Sequence, residues 1–454
     1  MRIEVLGGGG VRVPHLVYRL LRHRSEIGLD EVLLYDSAPE RAAAMGALLD
    51  ALVARSGQPP LPIRVLERPD GGGRVDFILT AIRPGGDRGR ARDEALCREV
   101  GLLGQETTGA GGMFMAIRTL GPLTEAVLRS LEASPDAWVL NFTNPAGLMT
   151  EALSALGVRR AIGICDTPSH FLQEIETALG VGAGALTPDY FGLNHLGFFS
   201  ALVDQEGVDR LPGLLGRYEG YMPEIETFRY FAPAVVRAIG ALPVEYVHFY
   251  LDRRGAVARQ AQADILRGAQ VEGLNRNLWE RVMAALPDHP EGALDVYLET
   301  MMTRDATYFA TETGAARRAP ERPEAYLEHP GYEVVALAAM RALTGGESVT
   351  LMLDVPGGGE RIGAPAHEVF ETAVAVDASG VRVVPGGPPG EFVRGLVAAV
   401  KSYERLTLEA WRHPSREAQL AALLAHPLVA DGDAAVRLLD LAAKAGVEGI
   451  LGAV

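Results

Sequence analysis

The chain is punctuated by short apolar runs that stop abruptly in small or polar residues. Residues 2–6 (RIEVL) run into Gly7-Gly8-Gly9-Gly10, residues 32–35 (VLLY) into Asp36, and residues 75–81 (VDFILTA) into Ile82-Arg83-Pro84-Gly85-Gly86. Two more runs follow the same plan, 139–146 (VLNFTNPA) and 163–168 (GICDTP). Apolar runs of this length predict parallel strands buried on both faces, each delivering polar side chains to the carboxyl edge of one sheet. Between the runs the period changes. Leu16, Leu20 and Leu21 form a helical stripe after the first strand, and helices are predicted over about 113–133 and 169–179. The alternation predicts an α/β fold: an N-terminal, Rossmann-like, doubly wound parallel sheet over 1–195, then an interleaved α+β half for substrate binding and association over 196–454. In that half, 224–241, 255–282, 391–412 and 417–443 read as helices, and 348–355 and 380–384 as strands. Residues 204–207 read as a hairpin turn and 315–330 as an exposed loop.

Open α/β sheets bind ligands outside the carboxyl ends of their strands, so the residues there are the candidate chemistry. Strand, glycine turn and helix form the arrangement that lays a pyrophosphate on a helix N-terminus. Asp36, at the end of the second strand, is placed to accept hydrogen bonds from an adenosine ribose, which favours NAD. The same residues also fit a glycine turn of any α/β protein, with Asp36 capping a helix. Arg83 suits a phosphate or sugar oxygen, or a surface loop. Residues 104–112 (GQETTGAGG) read as a flexible polar loop, pressed against a ligand or merely linking. Asn141, Thr143 and Asn144 end one strand and Cys165 and Asp166 the next, and Gly192-Leu193-Asn194-His195 follows about thirty residues later. A thiolate and an imidazole are two metal ligands, too few for a closed structural site but suited to a catalytic divalent ion that takes substrate oxygens. Taken singly, each also fits packing: a buried cysteine, a core histidine.

Composition narrows the classes. The chain has 454 residues, 48% of them hydrophobic and 22% charged, as in ordinary globular proteins. A formal net charge of −15 speaks against nucleic acid or an anionic membrane as partner. Two cysteines cannot build a disulfide framework, no apolar stretch reaches membrane-spanning length, and the chain starts on a strand instead of a signal peptide. These features point to the cytoplasm. The only lysines, Lys401 and Lys444, lie in no phosphate-loop pattern, which disfavours kinase-like and Schiff-base chemistry.

The ordered set GGGG, LLYD, IRPGG, GQETTGAGG, NFTNPAG, GICDTP, GLNH and SYERLT, running from the first strand to about Arg412, resembles glycoside hydrolase family 4. The resemblance implies an NAD- and divalent-metal-dependent glycosidase, one of a group that includes many enzymes of 6-phosphorylated disaccharides and glucosides. It implies a route other than two-carboxylate hydrolysis. Hydride leaves C3 of the sugar for NAD, a base takes the acidified C2 proton, and the C1 group is eliminated. Water then adds and the hydride returns. By resemblance Cys165 and His195 hold the metal, usually Mn²⁺. The base is Tyr246, in Pro243-Val244-Glu245-Tyr246-Val247-His248-Phe249-Tyr250, and Arg267 lies near the substrate phosphate. Gly7, Gly8, Gly9, Gly10 and Asp36 are then the NAD residues, Arg83, Asn144 and Arg267 the substrate contacts, and Tyr246 and Asp166 the catalytic pair. Gly10 stands where the family usually has serine. The CDTP segment matches neither the CNVP common in β-specific members nor the full α-type pattern, although its Asp166 is the α-type residue. NFTNPAG, GAGGMF and SYERLT resemble the β-type, so the expected activity is 6-phospho-β-glucosidase, with 6-phospho-α-glucosidase the alternative and a homodimer or homotetramer the expected assembly. From other classes, a malate- or lactate-type NAD-dependent dehydrogenase and a noncatalytic sugar sensor remain open.

Overall fold

A computed structural model describes residues 1–310, 322–328 and 331–452. Its strands in chain order are β1 (Arg2–Leu6), β2 (Glu31–Tyr35), β3 (Ile63–Leu66), β4 (Phe77–Thr80), β5 (Trp138–Asn141), β6 (Ala161–Gly163), β7 (Thr187–Leu193), β8 (Leu196–Val203), β9 (Leu242–Pro243), β10 (Val349–Pro356), β11 (Val369–Asp377) and β12 (Gly380–Val383). The first six pair in parallel in the order β3-β2-β1-β4-β5-β6, the order of a dinucleotide-binding sheet. The sheet then continues antiparallel through β10, β11, β7, β8 and β9, with β12 on β11. A division at residue 195 therefore falls in the tight turn joining β7 to β8, and β10 and β11 from the second half wedge between β6 and β7.

The strands form because their side chains are apolar on both faces: Ile3, Val5, Val32, Leu34 and Leu79 are fully buried on one, and Leu6, Leu33 and Ile78 on the other. One face packs against helices Val13–Arg22, Pro39–Ser56, Arg267–Ala285, Pro290–Ala306 and Tyr332–Leu343. The other carries Gly109–Ala133 and Ala146–Ala155. Each fully buried Leu, Ile or Phe contributes about 1.5–3 kcal/mol relative to exposure. A buried ionic knot ties the long helix Glu391–Arg412 to this core: Lys401 hydrogen-bonds to Glu151, to Glu404 (2.9 Å) and to the Val369 carbonyl (2.8 Å).

Several elements differ from the sequence expectation. The helix expected from 113 begins at Gly109, and residues 109–112 are buried instead of lying in a flexible loop. A side chain at Gly111 would run into the Gln105 carbonyl, so the glycines let the first helical turn lie flat on residues 105–107. The predicted helix 224–241 is a 3-10 turn, Glu226–Tyr230, and a short helix, Pro233–Ile239, because Pro233 lacks the N–H needed to continue one helix. Residues 255–282 split into Arg253–Gln262 and Arg267–Ala285 where Ala263 and Leu266 are extended. Residues 417–443 split into Arg416–Ala425 and Gly432–Lys444, capped by Ser415 and Asp431. Strand β11 was not foreseen, since buried Glu371 and Thr372 interrupt its apolar run. Of the predicted loop 315–330, residues 323–328 are helical, and 315–321 and 329–330 lie outside the described residues. No described helix is long and apolar enough to cross a membrane.

Candidate active site

A cavity of about 800 Å³ opens at the carboxyl ends of the parallel strands, between them and the second half of the chain. Every residue to which the resemblance gives a role lines it except Gly8, which is buried against Leu34 behind the turn. The glycine turn is pinned to β2: the N–H groups of Gly7 and Gly8 both donate to the Tyr35 carbonyl, at 2.9 and 2.7 Å. Gly7 has φ +94°, and a Cβ there would meet the Ala81 oxygen at 2.5 Å, so only glycine fits. Asp36 accepts from Gly9 N (3.0 Å) and Ala38 N (2.9 Å), bracing the turn and bending the chain into the next helix while it lines the cavity. It does not cap that helix, whose N-cap Ala38 has no side-chain cap bond; its structural part is to brace the glycine turn. Val11 and Arg12, which precede the helix Val13–Arg22, have no backbone partner for their N–H groups among the described residues. Open N–H groups at a helix start suit a dinucleotide phosphate, so the turn fits the cofactor it was expected to hold.

The two motifs ending β5 and β6 divide structural from chemical work. Asn141 is spent inside the fold, accepting from Thr80 Oγ1 (2.7 Å) and donating to the Ala146 carbonyl (3.1 Å). Thr143 Oγ1 accepts from Ile82 N (3.1 Å), which fixes the loop carrying Arg83. Asn144 lines the cavity, as do Cys165 and Asp166 after β6. The Asp166 carboxylate makes no hydrogen bond among the described residues, and its helix Thr167–Ala178 starts without a side-chain cap.

His195 sits in the β7–β8 turn with φ +64°. Its Nδ1 lies 2.8 Å from Thr107 Oγ1. The Thr107 hydroxyl is itself 3.0 Å from Gln105 Oε1, which also accepts from the N–H groups of Thr107 (2.6 Å) and Thr108 (3.0 Å). Gln105 Oε1 is thus an acceptor, the hydroxyl proton goes to it, and Thr107 accepts from His195 Nδ1–H. That tautomer leaves the Nε2 lone pair available. Burial pulls His195 down to about 4, so the ring is neutral near pH 7. Burial, with Glu371 and Asp166, pushes the Cys165 thiol up, so a bound cation is what would release its proton. Among the described residues no three His, Cys, Asp or Glu side chains gather as a metal site. A neutral imidazole and one thiol on one cavity wall fit a divalent ion that completes its shell with substrate oxygens.

Tyr246 stacks on that imidazole, with ring centroids 3.8 Å apart and planes 4° from parallel. Its hydroxyl is 2.8 Å from the Tyr308 hydroxyl, which donates to Glu245 Oε1 at 3.0 Å. Burial and Glu245 push its phenol well above the ordinary value. The candidate base and the candidate metal ligand thus touch.

A family model described as "Family 4 glycosyl hydrolase" matches residues 2–181, and the C-terminal domain model of the same family matches residues 190–429. The chain belongs to glycosyl hydrolase family 4. A 6-phospho-beta-glucosidase of Thermotoga maritima is 28% identical over 448 residues, covering 97% of each chain. The crystal structure of a T. maritima 6-phospho-beta glucosidase with manganese, NAD⁺ and glucose-6-phosphate superposes with TM-score 0.81 at 26% identity, covering 100% of both chains. A 6-phospho-alpha-glucosidase from gut microorganisms, solved with NAD and glucose-6-phosphate, gives TM-score 0.82 at 26% identity over 100% of this chain and 99% of that one.

In this family 4 chain, motif reasoning named residues at the strand ends but missed those that reach the cavity from elsewhere. Glu106 is held by Arg83 and by Arg90 (2.8 Å), which keep its carboxylate well below the usual range against the upward push of burial. It lies inside the quoted GQETTGAGG, so its position was visible and its role was not. Arg90, Arg304 and Tyr308 sit on helices or after them, with no local pattern to mark them. Arg12 lies one residue beyond the glycine turn and has no local pattern to mark it either. Arg267 does line the cavity, and it donates to Gln270 (2.8 Å), Thr307 Oγ1 (2.7 Å) and the Arg304 carbonyl (2.8 Å).

Proposed function

We propose that this family 4 glycosidase cleaves 6-phosphoglucosides, β-linked ones in preference, by oxidation at C3, deprotonation at C2, elimination, hydration and re-reduction. The observation that carries this reading is the meeting of Cys165, His195 and Tyr246 in one cavity with the glycine turn. Relatives solved with NAD, manganese and glucose-6-phosphate support it. When bound, NAD supplies a reversible hydride acceptor and the divalent ion a charge beside the sugar oxygens. The Gly7–Gly10 turn and Asp36 hold the dinucleotide; Cys165 and His195, oriented by Thr107, hold the ion. Tyr246 takes the C2 proton as its phenolate, a form that the charge of an ion held at His195 would favour against burial and Glu245, and Tyr308 and Glu245 place its oxygen. Asp166, whose carboxyl group makes no hydrogen bond among the described residues, acts in its protonated form as the acid for the departing oxygen. Asn144 orients the sugar, and Arg83 and Arg267 belong to the wall around its phosphate. Phe249, Tyr308 and Phe309 line the same wall and give the sugar an aromatic face to lie against. Assembly as a homodimer or homotetramer in the cytoplasm completes the proposal. Asp166 favours one second reading, an α-linked substrate.

Side-by-side assays with p-nitrophenyl 6-phospho-β- and α-glucosides test this. With NAD and Mn²⁺ the β compound should be cleaved faster, with no net NADH formed. Turnover that survives exhaustive chelation and cofactor stripping would refute the mechanism. Steady NADH accumulation would point to a dehydrogenase, and faster α cleavage would reverse the anomeric assignment.

A further inference from the structure

Several guanidinium groups face the substrate side of the cavity, and most are already engaged. Arg83 hydrogen-bonds to Glu106, Arg90 pairs with Glu94 (2.7 Å) and Glu106 (2.8 Å), and Arg267 holds three protein oxygens. Arg12 and Arg304 differ. Both line the cavity, and among the described residues neither has a carboxylate within 4.0 Å. Arg304 has one long side-chain contact, Nη1 to Asn275 Oδ1 at 3.4 Å, and Arg12 has none among the described residues. Arg12 comes from the start of the first helix and Arg304 from the last turn of helix Pro290–Ala306, so the fold brings them together from its two halves. The carboxylates facing Arg12 are Asp166 and Asp305. Burial, Arg12, Arg83 and Arg90 together pull Arg304 down to about 10, although Asp87 opposes them. Two half-buried guanidinium groups that line the cavity and have few side-chain acceptors among the described residues suit an anionic group of the ligand.

We propose that Arg12 and Arg304 are the clamp that recognises the dianionic phosphate of the substrate, each presenting a planar fork to its oxygens. This rests on the reading of a phosphorylated sugar as substrate. It moves the main phosphate contact away from Arg83 and Arg267, whose donors serve protein acceptors, and leaves Arg267 to position Arg304 through its carbonyl. A dinucleotide diphosphate carries the same chemistry, so the test separates the two sources.

Titration calorimetry would measure glucose 6-phosphate and glucose on the NAD-loaded protein, and NAD on the stripped protein. Wild type, Arg12→Gln, Arg304→Gln and Arg304→Lys would be compared. Each Gln variant should bind glucose 6-phosphate roughly ten- to a hundredfold more weakly, with glucose and NAD within about twofold of wild type. Arg304→Lys should recover part of the loss, since it restores charge without the fork. Unchanged preference for the phosphorylated sugar overturns the clamp, and a loss confined to NAD assigns these arginines to the dinucleotide instead. If a Gln variant loses all three ligands, Arg304→Lys decides: wild-type preference for glucose 6-phosphate over glucose in that variant also overturns the clamp. A wild type that binds both sugars equally fails the phosphorylated-substrate reading itself, and the clamp with it.

Discussion

Replacing Tyr246 by Phe should lower the rate of glycoside cleavage by about 10²–10⁴-fold, the usual contribution of a general base, with sugar and NAD affinity nearly unchanged. The substitution removes one oxygen and keeps the ring. The stack on His195 (3.8 Å) and the edge contacts with Phe249 (6.0 Å) and Phe309 (5.4 Å) are made by carbon and survive. The lost hydrogen bond is the one to Tyr308 (2.8 Å), whose hydroxyl keeps its bond to Glu245. A neutral bond of this kind contributes about 0.5–1.5 kcal/mol to stability, far less than would unfold the chain. Steady-state kinetics and direct binding separate the outcomes. A fall in affinity with an unchanged rate constant would make Tyr246 a packing residue, and an unchanged rate would move the role elsewhere. Tyr250 is the next candidate, although its hydroxyl is 2.7 Å from that of Thr108.

Cys165→Ser should cost more metal affinity than the roughly 10–100-fold typical of losing a partner behind a metal ligand. A serine hydroxyl does not ionise near neutral pH, so the site would keep only the neutral imidazole and substrate oxygens. Folding should be preserved, because serine is close in size and β6 is held by β5 and β10. Activity should fall in proportion and return in part at high Mn²⁺. Equilibrium dialysis against Mn²⁺ measures this directly; wild-type binding by the serine variant would remove Cys165 from the ligand set.

Much of the first half was legible because buried parallel strands write themselves as apolar runs, and β1, β2, β4, β5 and β6 all fall where such runs lie. Their ends mark the cavity wall, which is how Asn144, Cys165 and Asp166 were found. Residue type alone did not say which polar residues face inward. Asn141 and Thr143 looked as chemical as Asn144, yet their hydrogen bonds are spent on the β5 turn and the Ile82 loop. The glycines of residues 109–112 looked mobile because composition hides the close approach that demands them. Strand β11 escaped because its Glu371 is buried beneath a Tyr190 hydroxyl, a pairing 181 residues apart in sequence. Arg12 and Arg304 escaped for the same kind of reason. What distinguishes them is how few side-chain partners they have among the described residues, a property of three-dimensional neighbours. The SYERLT motif was recognised by resemblance alone, and the structure supplies its physical reason: Lys401 just before it and Glu404 within it form the buried knot with Glu151, while Arg405 pairs with Glu368 at 2.6 Å.

The central claim is that the C2–H bond of the sugar breaks and reforms at each turnover, and running the reaction in D₂O tests it most directly. With Tyr246 exchanging its proton with solvent, nuclear magnetic resonance of the released sugar phosphate should show deuterium at C2 from the first turnovers. The Tyr246→Phe protein should incorporate it only as fast as its residual cleavage. Direct displacement at C1 leaves C2 untouched. Product accumulating with protium alone at C2 would contradict the elimination route.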